Sequence, residues 1–90
     1  MNDWLGFDER QVELDNPDEV RRITSFLAEF DLGFDADVEY TVALYSDDIL
    51  VATGSFAGKV IRNVAVAPNL QGEGLLAKVV GHLMRVMAER

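Results

Sequence analysis

Ninety residues allow one domain, and 49% apolar against 27% charged residues is the balance of a chain that folds rather than stays disordered. A net charge of −8 argues against non-specific nucleic-acid binding, and the lack of cysteine excludes disulfides, thiolate nucleophiles and cysteine zinc sites. No apolar run approaches the roughly 20 residues of a membrane span, and MNDWLGFDER lacks the basic-then-apolar order of a signal peptide, so a soluble, cytoplasmic chain with no membrane partner is expected.

In chain order, Trp4, Leu5 and Phe7 read as the edge of a core, and residues 9–15 (ERQVELD) as a short strand with Val12 and Leu14 two apart. NPDEV then carries the signals of a helix start. Asn16 caps, Pro17 suits the first helical position, and Glu19 stands where it would close a capping box. Val20, Ile23, Phe26, Leu27 and Phe30 recur at helical spacing, which predicts a helix over 17–31 with Gly33 as its stop. Residues 37–56 read as a hairpin turning at Ser46, Asp47 and Asp48, with Tyr40, Val42 and Leu44 on one face. A tight connection at Phe56, Ala57 and Gly58 leads to KVIRNVAVA (59–67), β-branched and apolar enough to lie inside a sheet until Pro68 ends it. From Gly74 to Glu89 the spacing turns helical, with Leu75, Leu76, Val79, Val80, Leu83 and Met87 covering more than half the girth.

The order strand, helix, three strands, loop, helix makes the fold α+β, a mainly antiparallel sheet flanked by helices. Chemistry concentrates at Gln71-Gly72-Glu73-Gly74-Leu75, between the last strand and the last helix. Backbone N–H groups at a helix start lack intrahelical partners and carry the positive end of the helix dipole, and glycines let an anion approach them. The same residues also suit an ordinary strand-to-helix turn. Charge favours the first reading. Residues 1–56 hold 14 acids against Arg10, Arg21 and Arg22, a net of −11, whereas residues 57–90 are net +3.

VAVAPNLQGEGLLAKVV resembles the signature segment of the GNAT acetyltransferase superfamily, with Gln71, Gly72, Glu73 and Gly74 in its first positions and Leu76 where glycine or alanine is usual. More narrowly, DADVEYTV, ATGSFAGKVIRNVAV and QGEGL resemble the N-terminal GNAT-like domain of the citrate lyase ligase family. The resemblance implies that residues 1–90 form the first part of one GNAT-like domain of a longer protein. That protein would use ATP and acetate to acetylate the CoA-like, dephospho-CoA-derived prosthetic group on the citrate lyase acyl carrier protein. This segment would bind the CoA-like group, and ATP would be used only in a part beyond it. Gln71, Gly72, Glu73, Gly74 and Leu75 would then face the pyrophosphate, with the backbone of Val64 and Val66 beside pantetheine. The alternatives are a GNAT N-acetyltransferase using acetyl-CoA and a non-catalytic interaction module.

Residues 59–67 hold no acid, histidine or tyrosine to act as a base, so no catalytic residue is assigned. His82 shares a stripe with Lys78, Arg85 and Glu89 and reads as solvent-facing rather than as a base. Tyr40 and Tyr45 lie on opposite faces of one strand and read as packing residues. Asp35, Asp37 and Glu39 lack the spacing of a calcium loop, and no metal is expected. Arg62 and Lys78 read equally well as phosphate contacts or as solubilising charges. Strand 59–67, without a further strand beside it, would present an unpaired edge, which points to a homodimer formed through it.

Overall fold

A computed structural model describes residues 7–72 and 74–90. Trp4 and Leu5, read above as core edge, and Glu73 of the glycine loop lie outside them.

The strands are β1 (Phe7–Gln11), β2 (Tyr40–Ser46), β3 (Ile49–Ala57) and β4 (Val60–Val66), and the helices are α1 (Pro17–Ala28) and α2 (Leu75–Ala88). A short 3-10 turn, Pro68–Leu70, joins β4 to the glycine loop. The sheet has the order β1-β2-β3-β4 and every pairing is antiparallel. The element order is the one expected, and the α+β class holds. β4 is an edge strand, as expected from the lack of a further strand beside it and contrary to the interior place its composition suggested. Its apolar character comes from being covered on both faces, not from having two neighbours.

β1 begins two residues before the expected strand because backbone pairing with β2, not apolar alternation, defines it. The Val12 amide still donates to Thr41 O at 2.8 Å, and Val12 and Leu14 then turn into the cluster beneath α1. Asn16 caps α1 as expected, its Oδ1 accepting from the amides of Asp18 and Glu19. The reciprocal half of the capping box does not form: Glu19 accepts instead from the Glu13 amide, and the Asn16 amide donates to Glu13 O. Asp31, not Gly33, ends the helix. With φ of 60° it takes the left-handed position, while Leu32 N–H reaches Leu27 O and Asp31 N–H reaches Ala28 O, the bond pair of a Schellman stop. Asp47 and Asp48, both at positive φ, make the two-residue turn of the β2–β3 hairpin.

Two clusters occupy the two faces of the sheet. On one, Ile23, Phe26 and Leu27 of α1 meet Ala43, Tyr45 and Ala65. On the other, Leu75, Val79 and Leu83 of α2 meet Tyr40, Val42, Leu44, Ala52, Phe56 and Val66. Each fully buried aliphatic side chain contributes about 1.5–3 kcal/mol, so the three α2 residues alone anchor that helix firmly. Tyr40 and Tyr45 fall on opposite faces, as the strand alternation requires.

Two departures from regular pairing set the position of α2 and the shape of β4. Gly54 on β3 lies directly under α2, where an added Cβ would sit 2.5 Å from Val79 Cγ1 and 3.1 Å from Leu83 Cδ1. Beside it the β3–β4 register shifts between Thr53 and Ser55, and Asn63 on β4 adopts φ of 55°, the mark of a bulge. The Asn63 side chain spans to the loop after α1, accepting from the Asp35 amide at 3.2 Å and donating to Gly33 O at 3.0 Å. Replacing Gly54 by valine is expected to lift α2 from the sheet and to destabilise the chain by about 1–3 kcal/mol. Urea denaturation of the variant against the parent measures this.

Candidate functional site

A groove of about 560 Å³ runs along the C-terminal half of β4. Val64, Ala65 and Val66 form its floor, Leu75, Leu76 and Ala77 one wall, and Phe30, from the residues after α1, reaches in from the other face of the sheet. Leu70, Gln71, Gly72 and Gly74 close the end. The groove therefore straddles the free edge of the sheet. Ala67 N–H bonds inward to Val51 O, so strand alternation turns the amides and carbonyls of Val66 and Val64 away from β3 and into the groove.

At the closed end the backbone is shaped by Gly72 and Gly74, with φ of 96° and 82°. A side chain at either position would meet nothing within 4 Å but would force a left-handed backbone on a residue that disfavours it. Gly74 is the N-cap of α2, and among the described residues no side chain caps the helix. The Lys78 amide already donates to Gly74 O, so the free donors are those of the first turn, at residues 75–77. Of the residues expected to contact a cofactor, Val64, Val66, Gln71, Gly72, Gly74 and Leu75 are brought together here, and Glu73 is not described. One of them is engaged already: Gln71 Nε2 donates to Val66 O at 3.2 Å. Among the described residues that line the groove none carries an ionisable side chain; they offer backbone dipoles and apolar surface.

The two cations read from the sequence as phosphate contacts or solubilising charges, Arg62 and Lys78, are both paired with carboxylates. Arg62 pairs with Asp37 at 3.0 Å and Asp35 at 3.4 Å, which fastens the loop after α1 onto β4. Glu39 accepts from the Gly58 amide. Lys78 pairs with Glu9 at 2.8 Å.

Glu9 is the centre of a second cluster that sequence reasoning missed. Its carboxylate also accepts from His82 Nδ1 at 2.7 Å, and the other ring nitrogen, Nε2, takes the Tyr40 hydroxyl at 2.8 Å. Arg85 lies 3.9 Å from the same carboxylate. His82 is thus not a solvent-facing residue: its side chain is only 17% exposed, because polar β1 lies along the flank of α2 that carries the basic stripe. Burial alone would raise the Glu9 carboxyl, but the hydrogen bonds and charges of Lys78 and His82 together outweigh it and hold it below the usual carboxylate value. Burial pushes the Tyr40 phenol up, and its hydroxyl shares the hydrogen bond with His82 Nε2 in the direction that the protonation of the ring sets. The ring of Tyr40 stacks on Phe56 at 5.5 Å, beneath the Arg90 guanidinium. No local signal marks Glu9. It is one acid in a polar strand, and its partners Lys78 and His82 lie 69 and 73 residues away.

The molecule is a small α+β domain whose groove lies between an open sheet edge and a helix start with no side-chain cap among the described residues. Comparison with known proteins narrows that class. Over 71 residues, 79% of this chain, the sequence is 35% identical to the citrate (pro-3S)-lyase ligase of Escherichia coli (strain K12). Over 74 residues, 80% of this chain, it is 36% identical to the ligase of the same name from Klebsiella pneumoniae. The chain is a relative of the citrate lyase ligases and corresponds to their N-terminal domain. It spans about a fifth of the length of these curated relatives, 20% and 22% respectively. No family model matches the chain, and no solved structure matches it. Among the described residues no helix is long and apolar enough to cross a membrane.

The Glu9 cluster has a pH signature. A carboxyl whose folded pKa is depressed stabilises the fold fully above its unfolded pKa, near 4.5, and that stability is lost as pH falls through the folded value. Glu9→Gln should lower stability at pH 7 and flatten the decline below about pH 4.5, as read from thermal melts between pH 3 and 7.

Proposed function

We propose that this chain is the N-terminal, GNAT-like domain of a citrate lyase ligase, part of a longer protein, and that it holds a CoA-like group rather than reacting with it. The supporting observation is the groove itself, which joins the outward backbone of Val64 and Val66 to the open first turn of α2. Its apolar floor would take a pantetheine arm, and the amides at the head of α2, from Gly74 and Leu75 through Ala77, would donate to the diphosphate. The group would be the dephospho-CoA-derived arm of the citrate lyase acyl carrier protein; the relatives' name points to citrate lyase as the partner. Acetylation of that arm with ATP and acetate would be the work of the rest of the ligase; among the described residues the groove lining offers no acid or base. The homodimer expected through residues 59–67 would compete for the same edge, and sedimentation with and without CoA distinguishes the two uses.

Coenzyme A at about 100 times its dissociation constant should stabilise the chain by roughly 2.7 kcal/mol, measured as a rise in melting temperature. Ala77→Glu makes the test specific. A carboxylate in the first turn of α2 favours the helix dipole by about 0.3–1 kcal/mol, so the variant should melt at or slightly above the parent temperature. The same charge repels a diphosphate at the adjacent amides and should weaken CoA binding about tenfold. Equal affinity in parent and variant, by isothermal titration, would place the ligand somewhere else.

A further inference from the structure

The contact between Gln71 and Val66 sits oddly in a groove whose other edge groups are open. Strand alternation points the Val66 carbonyl out of the sheet, into the space an extended ligand would occupy. It does not wait there for a ligand: Gln71 turns back from the loop and donates to it at 3.2 Å. Gln71 needs no such bond for burial, because the residue as a whole is exposed and water could satisfy its amide. The Gln71 backbone is held separately, its N–H directed at Pro68 O at 3.4 Å. The side chain is therefore free to leave without undoing the turn.

We infer that Gln71 is a gate on the arm-binding half of the groove, its carboxamide standing in for an amide N–H of the ligand at the Val66 carbonyl. This rests on the reading of the groove as a CoA-type site. A pantetheine-like arm carries secondary amides, and one lying along β4 must displace Gln71 to reach Val66. A ligand with the diphosphate but no arm leaves the contact intact. The exchange trades one neutral hydrogen bond for another, so the gate sets a modest threshold that favours amide-bearing arms over plain nucleotides.

The experiment compares two probes, CoA, which has the arm, and ADP, which has the diphosphate alone. Isothermal titration is run on the parent chain, on Gln71→Ala and on Gln71→Met, the last retaining length without a donor. Both variants should bind CoA about three- to tenfold more tightly, the worth of one released hydrogen bond, and bind ADP unchanged. If CoA affinity is unchanged or falls in both variants while ADP holds, the gate is wrong and the diphosphate reading survives. If both probes weaken together, Gln71 shapes the loop and gates nothing. If no form binds either probe, the reading of the groove fails and the gate with it.

Discussion

The close seating of α2 on β3 at Gly54 is the constraint from which the rest of the molecule follows. A residue without a Cβ lets Val79 and Leu83 drop onto the sheet, and the helix axis is fixed by that approach rather than by propensity. With the axis fixed, the start of α2 comes to the end of β4, and its uncapped first turn borders the groove. The register shift between Thr53 and Ser55 falls at the same place, so the bulge at Asn63 and the contact at Gly54 are two sides of one local arrangement.

Charge is distributed to hold this arrangement rather than to face a ligand. Glu9 gathers Lys78, His82 and Arg85 along one flank of α2, and Arg62 takes Asp35 and Asp37. Exposed ion pairs contribute little individually, but Glu9 and His82 are less than a quarter exposed, and their bonds are charge-assisted and join the first strand to the last helix. Among the described residues the groove is left with backbone dipoles as its polar groups, apart from Gln71.

The sequence was most legible where a local rule operates. Asn16-Pro17 started a helix, Asp47-Asp48 made a turn, and the apolar spacing of 75–87 gave α2 its buried face. It was least legible where a residue's role depends on a distant partner. His82 looked solvent-facing because its own helix offers only charged neighbours on that stripe; Glu9 and Tyr40, from two strands, cover it. β4 looked like an interior strand because composition reports burial of faces and is silent on hydrogen-bonded neighbours. Phe30 looked like one more apolar helix position, yet it lies beyond the end of α1 and lines the groove.

By itself, then, the sequence determined the order and kind of the elements, the Asn16 cap of α1, the hairpin turn, and the glycine loop that brings left-handed backbone to the head of α2. These are properties of residues a few positions apart, governed by φ preferences and helical or strand periodicity. Only the tertiary structure decided that β4 bulges at Asn63 beside Gly54, which cations are already spent on carboxylates, and that Gln71 covers the Val66 carbonyl. Those outcomes depend on how two helices and four strands approach one another, and no short window of the chain contains that information.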